Sequence, residues 1–230
     1  MIQSTHNEHS NLPPSVHLII VILVFGSMWG LSEVVLGGWL TAARFTYKAG
    51  LLTGIGMGLM GMALVICKKP PALIGMGLVT ALVKLLAVPI LHISVTCMAN
   101  SCLAVFIEAL AISLVTFLLM GGVRRSVHIR MAAGAAAAIT AAVGFYFIGM
   151  RVAPCTYLLS FTPAGFLITE GLIWSAFSAV LFPLGYLAGI GLEEKVIPLL
   201  TRKIPLYYAT ASAVVVICWG VSAIAISSGL

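Results

Sequence analysis

The sequence predicts an all-α fold, a polytopic transmembrane helical bundle of about seven spans. Of its 230 residues, 61% are hydrophobic and only 8% are charged, whereas a soluble domain carries about 25% charged residues. The apolar residues fall into seven stretches, each long enough for a membrane-spanning helix of ~20 residues. The longest polar stretch is residues 1–16. This composition excludes a soluble enzyme, a disordered chain and a nucleic-acid-binding domain.

The chain is predicted to have two parts. Residues 1–16 form a polar, cytoplasmic N-terminal segment that lacks the positive region of a signal peptide, and residues 17–230 form a single transmembrane helical domain. The predicted spans are 17–40, 50–67, 72–93, 99–122, 130–150, 164–191 and 207–229. Each should be a helix, because backbone polar groups in lipid must be satisfied within the segment.

The basic residues outside the spans predict the orientation. With seven spans, eight Lys and Arg residues lie on the side of the N-terminus and three lie on the other side. The larger group is Lys68, Lys69, Arg124, Arg125, Arg130, Lys195, Arg202 and Lys203, and the smaller is Arg44, Lys48 and Arg151. Because cytoplasmic loops carry the excess of basic residues, we expect a cytoplasmic N-terminus in the inner or plasma membrane of the cell.

Four ionisable residues fall within the predicted spans, namely Glu33, Lys84, Glu108 and Glu170. A charge near the bilayer centre costs roughly 2.5–3.5 kcal/mol on insertion scales and needs a partner or a cavity. At ~1.5 Å per residue, all four lie in the middle or the outer half of the membrane. This placement favours an outward-opening polar cavity that binds a small solute. The alternative is a structural ion pair between Lys84 and one glutamate that locks the helices together.

Two tryptophans accompany these acids at helical spacing. Trp29 precedes Glu33 by four residues, and Trp174 follows Glu170 by four. Residues at this spacing share a helix face, so each pair would present an indole beside a carboxylate. This combination suits an aromatic or heterocyclic ligand, although tryptophans are also typical of the membrane interface.

The segment between the third and fourth spans supplies two further candidates, His92 and Asn100, for contact with the solute. Together with Cys97 and Cys102 it contains residue types that bind soft metals or haem. Their spacing matches no defined metal motif, and plain packing of the loop is the other alternative. We therefore predict neither a metal nor a cofactor.

Glycines occur at spacings that let helices approach closely. Gly26 and Gly30 form a GxxxG pair, and Gly54, Gly56 and Gly58 follow in the second span. Small residues spaced in this way serve either internal packing or docking of a membrane partner. The sequence has no Walker A, GxSxG or HExxH motif. We therefore expect no enzymatic activity, and any ATP-driven step would require another subunit.

These elements resemble the substrate-binding S components of energy-coupling factor (ECF) transporters, which are small, glycine-rich membrane proteins without an ATPase motif. The resemblance rests on Gly26 and Gly30, on the glycine run of the second span, and on residues 75–86 around Lys84. It implies a six-span core with one added C-terminal helix, and capture of a vitamin or cofactor precursor from the outer side. It also implies docking of a membrane coupling subunit at Gly26 and Gly30, with ATPase subunits in the cytoplasm. The seven-span metal-binding members carry an N-terminal histidine ligand, whereas this chain begins Met1-Ile2-Gln3, so the metal variant is not expected.

Two other functions fit the same sequence. The chain could be a non-transporting membrane anchor of a larger redox complex, in which the buried charges only lock helices. It could also be a stand-alone ion-coupled carrier with Glu33, Lys84 and Glu108 as the relay. In each case the bilayer is its environment and nucleic acid is not a partner.

Overall fold

The computed structural model describes residues 13–229, with side chains at all of these except Pro14 and residues 197–202. This part of the chain is helical and contains no β-strand. In chain order the elements are α1 (Pro14–Leu31), the π-helix π1 (Ser32–Leu36), α2 (Gly37–Ala42), α3 (Lys48–Cys67), α4 (Ala72–Leu85), α5 (Ala87–Leu91), α6 (Val95–Arg125), α7 (Val127–Val152), α8 (Thr156–Leu159), α9 (Pro163–Phe166), the π-helix π2 (Leu167–Gly171), α10 (Leu172–Arg202) and α11 (Ile204–Ser227).

These elements combine into seven helices long and apolar enough to cross a membrane, within the described residues. The first span joins α1, π1 and α2, the third joins α4 and α5, and the sixth joins α9, π2 and α10; α3, α6, α7 and α11 are spans by themselves. The predicted all-α, seven-span bundle is therefore confirmed.

Most helix ends lie one to four residues from the predicted limits. The first helix begins at Pro14 rather than at residue 17, because proline fits the first turn of a helix, where its missing N–H costs nothing. The sixth span continues to Arg202, beyond the predicted end at residue 191. The prediction for residues 1–12 falls outside the described part of the chain.

Helix α3 lies at the centre of the bundle and packs most extensively against α10. A Cβ added to Gly54 would lie 2.7 Å from Leu181, and one on Gly185 would overlap the carbonyl oxygen of Gly58. The two backbones therefore cross in direct contact, and the glycine run of the second span serves internal packing, one of the two alternatives that its spacing allowed.

Gly26 and Gly30, which were predicted to dock a membrane partner, pack inside the bundle in this structure. Both glycines are buried in the bundle against α4, where added Cβ atoms would lie 2.7 Å from Val79 and 2.6 Å from Val83. The small residues let α1 and α4 pack closely, and the hydroxyl of Thr80 donates to the carbonyl of Gly26 at 3.0 Å. Because α4 covers this surface, the two glycines serve internal packing, the other alternative that their spacing allowed.

The seventh helix, α11, is the least buried span and packs mainly against α1. Two polar contacts join them across the bundle: Trp219 Nε1 donates to Ser27 Oγ at 2.9 Å, and His17 Nδ1 lies 3.0 Å from the hydroxyl of Tyr207. The helix is therefore an addition to the outside of a six-helix core.

The two ends of the bundle differ in charge. One end, here called the basic end, contains the connections 68–71, 126 and 203, and Lys68 pairs there with Glu193 at 2.8 Å. Buried Arg130 donates from Nε to the carbonyl of Val123 at 2.7 Å and so caps α6, while its guanidinium lies 4.2 Å from the Tyr186 ring centroid. The opposite end, here called the cavity end, contains the connections 43–47, 92–94 and 153–162.

Candidate solute-binding cavity

A cavity of about 500 Å³ runs into the bundle from the cavity end. Its rim includes the exposed residues Thr41, Lys48 and Tyr157, and its floor includes buried Thr53 and Glu108. Its volume is within the 300–1,000 Å³ range of pockets that bind small organic ligands.

All four intramembrane ionisable residues line this cavity, and Asn100 and Trp174 line it as well. They come from four different spans and are separated by up to 141 positions along the chain, from Glu33 to Trp174. The fold therefore brings together six of the eight residues that the sequence singled out for solute contact.

Glu33 and Glu170 are each held in a π-helical turn, in π1 and π2 respectively. A π turn accommodates one extra residue and rotates the following side chains by roughly 100° relative to a continuous α-helix. Such turns are frequent at functional sites. In π1 the hydroxyl of Ser32 donates to the carbonyl of Trp29 at 2.7 Å, which satisfies a backbone group at the irregular turn. Both described π segments thus contribute a carboxylate to the cavity.

Lys84 Nζ lies 2.6 Å from Glu33 Oε2, and their side chains are 10% and 8% exposed. This buried ion pair joins the first span to α4. It borders the main cavity on one side and, on the other, a second cavity of about 480 Å³ that is also lined by Ala87, Met98 and Ile226. Lys84 therefore has a carboxylate partner, as expected of a structural ion pair, and it also borders open space, as expected of a solute-binding cavity.

Glu108 lies at the floor of the cavity and is 4% exposed. Its Oε1 accepts a hydrogen bond from the hydroxyl of Thr53 at 3.0 Å. Its Oε2, and the Oδ1 of Asn100, are buried and have no hydrogen-bond partner among the described protein atoms. Buried polar atoms are normally paired, so these two oxygens mark where a ligand could donate hydrogen bonds.

Glu170 and Trp174 form the polar edge of an aromatic wall. Trp174 Nε1 donates to Glu170 Oε2 at 3.1 Å, and the indole packs against Phe145 with ring centroids 6.0 Å apart. Tyr157 lines the same side from the connection after α7, where burial and the neighbouring Glu170 carboxylate raise the pKa of its hydroxyl. The hydroxyl therefore stays protonated and able to donate at any physiological pH.

The other two predicted residues, Trp29 and His92, lie outside the cavity. Trp29 is fully buried in the core, where its indole nitrogen would lie 2.5 Å from a Cβ added to Gly56. His92 is exposed and adopts the left-handed conformation, with φ of 53°, that ends α5. Trp29 therefore packs the core, and His92 terminates a helix.

The structure does not bring together the residues between the third and fourth spans that were considered as metal ligands. Across residues 13–229 no group of three His, Cys, Asp or Glu side chains could hold a metal ion. Cys97 is exposed beside Ser94, whereas the Sγ of Cys102 contacts the carbonyl of Ala81 at 3.7 Å.

Replacement of His92 by asparagine is expected to change solute affinity by less than about twofold. Asparagine tolerates the left-handed conformation, so the turn is kept while the imidazole is lost. Asn100→Ser is the comparison variant, because it removes a cavity oxygen, and it should weaken binding at least fivefold. Titration of both variants with the co-purifying solute checks the contrast; a loss confined to His92→Asn would contradict the assignment of the site.

Sequence reasoning missed several cavity residues, above all Thr53, Phe145 and Tyr157. Thr53 is the one hydroxyl residue of α3, but a hydroxyl in a membrane helix usually bonds its own backbone and so gives little signal. Tyr157 resembled an ordinary interfacial aromatic. Only the packing of α3 against α6 shows that Thr53 faces Glu108.

No protein-family model, no curated protein and no solved structure matches this chain. The resemblance to ECF S components remains a prediction.

Proposed function

We propose that this integral membrane protein is a substrate-binding subunit of an ECF-type importer, which captures a small solute in the cavity around Glu33, Lys84, Glu108 and Glu170. The observation that carries the proposal is the convergence of these four costly side chains on one open cavity of about 500 Å³. Charged groups that only lock helices have no need of such a space.

The orientation of the cavity supports capture from outside. It begins at the end of the bundle that holds Arg44, Lys48 and Arg151, whereas the eight other loop cations belong to the basic end. By the positive-inside rule the basic end is cytoplasmic. The solute would then enter from the exterior and reach Glu108 within the membrane.

Release to the cytoplasm would need a partner, because the chain contains no nucleotide-binding motif. In this proposal a membrane coupling subunit and cytoplasmic ATPase subunits supply that step. The coupling subunit would dock on a surface other than Gly26 and Gly30, which face α4.

Glu108→Ala is expected to weaken solute binding about 10- to 100-fold. The variant removes a hydrogen bond to an ionisable group, worth about 1.5–3 kcal/mol. The measurement is calorimetric titration of the detergent-purified full chain with the solute that native mass spectrometry finds in the wild-type preparation.

The matched control is Glu194→Ala, which removes an exposed carboxylate at the basic end and should leave affinity unchanged. Equal binding by the wild-type and Glu108→Ala proteins would refute the assignment of the cavity. Co-purification of ATPase subunits supports the importer, whereas electron carriers in their place would indicate the redox anchor. Uptake by the chain alone in liposomes without ATP would instead indicate an ion-coupled carrier.

A further inference from the structure

We infer that the solute is a small organic cation whose flat ring carries N–H donors, because unpartnered acceptor oxygens, an aromatic wall and an already paired lysine face one cavity. The inference rests on the proposed function and specifies the chemical class of its solute.

The first argument concerns hydrogen bonding. Two buried oxygens have no partner among the described protein atoms, Glu108 Oε2 and Asn100 Oδ1. The amide oxygen of Asn100 is an acceptor, and Glu108 Oε2 is one as well when a bound cation holds the carboxyl group in its ionised form. Glu170 adds a carboxylate whose Oε2 accepts a hydrogen bond from Trp174 at 3.1 Å. A ligand that donates several hydrogen bonds would satisfy these groups, whereas a ligand rich in acceptors would leave them unpaired, at a cost in affinity.

The second argument concerns charge. Among the described side chains that line the cavity, three are carboxylates and only two, Lys48 and Lys84, are cations. Lys84 is bound to Glu33 at 2.6 Å. Lys48 is exposed at the rim and donates to Thr41 Oγ1 at 3.3 Å. An anionic solute would therefore meet Glu108 at the floor without an unengaged buried cation to compensate it, whereas a cation would be attracted.

The third argument concerns shape. Phe145, Tyr157 and Trp174 line one side of the cavity, and Trp174 is held in place by its bond to Glu170 and its packing against Phe145. Aromatic faces attract cations and stack with flat rings. The volume of about 500 Å³ accommodates a solute of one or two rings.

The test uses three probes of one shape and different charge: benzamidinium, neutral benzamide and benzoate. Each is titrated into the detergent-purified full chain and followed by ligand-observed NMR. We expect saturable binding of benzamidinium at millimolar concentration, with benzoate at least tenfold weaker. Glu108→Gln, which removes the charge and keeps the shape, should weaken benzamidinium at least tenfold and change benzamide less than twofold; Glu194→Gln is the control. Equal or tighter binding of benzoate, or no saturable binding of benzamidinium, would overturn the inference.

Native mass spectrometry of the purified chain separates this inference from the proposed function. A co-purified organic cation supports both. A co-purified anion that Glu108→Ala displaces overturns the inference and leaves the solute-binding role in place. If the wild-type chain neither retains nor binds any solute from its own membrane extract, the proposed function fails.

Discussion

Replacing Lys84 with methionine is expected to lower the unfolding midpoint of the detergent-purified protein by roughly 6–20 °C. Methionine is only one atom shorter than lysine and has no charge, so the main loss is the ion pair with Glu33, whose partners are only 10% and 8% exposed. Breaking a buried pair by removing one partner costs about 3–5 kcal/mol, because the other charge stays buried and unpaired. For a chain of this size each kcal/mol corresponds to about 2–4 °C.

A double-mutant cycle with Glu33→Gln tests whether the two charges act as a pair. The double variant Glu33→Gln/Lys84→Met leaves no unpaired charge, so it should recover most of the stability lost in either single variant. Lys68→Met is the matched control: it breaks an ion pair of similar length with Glu193, but that lysine is 61% exposed, and the loss should be below about 1 kcal/mol. Strictly additive losses at positions 33 and 84 would show that the pair is not coupled.

Gly185→Ala is expected to destabilise the bundle by at least about 3 kcal/mol, which corresponds to a fall of roughly 6–12 °C in the unfolding midpoint. The added methyl group would overlap the backbone carbonyl of Gly58 where α10 crosses α3. The obstacle is backbone rather than a flexible side chain, so the two helices must move apart. This crossing is the most extensive helix contact of the described chain.

The control for this prediction lies on the same helix. Nothing lies within 4 Å of a Cβ added to exposed Gly191, and alanine is favoured over glycine in a helix by about 0.5–1 kcal/mol. Gly191→Ala should therefore leave the midpoint unchanged or raise it slightly. The readout is thermal unfolding in detergent, followed by size-exclusion chromatography. Similar behaviour of the two alanine variants would contradict the close crossing of α3 and α10.

The ion pair between Glu33 and Lys84 bears on the proposed capture of a solute. Because Glu33 and Lys84 separate two cavities, they form a wall that a bound solute would touch. Because the two charges neutralise each other, the free energy of placing these side chains within the membrane is lower. The remaining acids, Glu108 and Glu170, are then the groups that can interact with a solute.

Much of the architecture could be predicted from the sequence. Hydropathy identified the seven spans, because a backbone that crosses lipid must satisfy its polar groups within an apolar helical segment. The same reasoning selected Glu33, Lys84, Glu108 and Glu170, since an ionisable residue in an apolar stretch is visible without any structure. All four line the cavity, although their predicted contact with a solute awaits the titrations described above.

Other features depended on contacts that no local pattern reveals. Gly26 and Gly30 have the spacing of a docking stripe, but Val79 and Val83 cover them. Trp29 has the same four-residue relation to a glutamate as Trp174, yet only Trp174 reaches the cavity. The Trp29 indole instead packs in the core against Gly56.

The sequence by itself determined that this protein lies in a membrane and how many times the chain crosses it. It also determined which side chains are unfavourable enough in lipid to need a partner or a cavity. These properties follow from transfer free energies, which are summed along the chain. Tertiary structure alone decided that Lys84 pairs with Glu33, that Thr53 donates to Glu108, and that the acids share one cavity with Trp174. These contacts depend on the rotation and crossing of the helices, which are determined by packing between residues that can be more than a hundred positions apart.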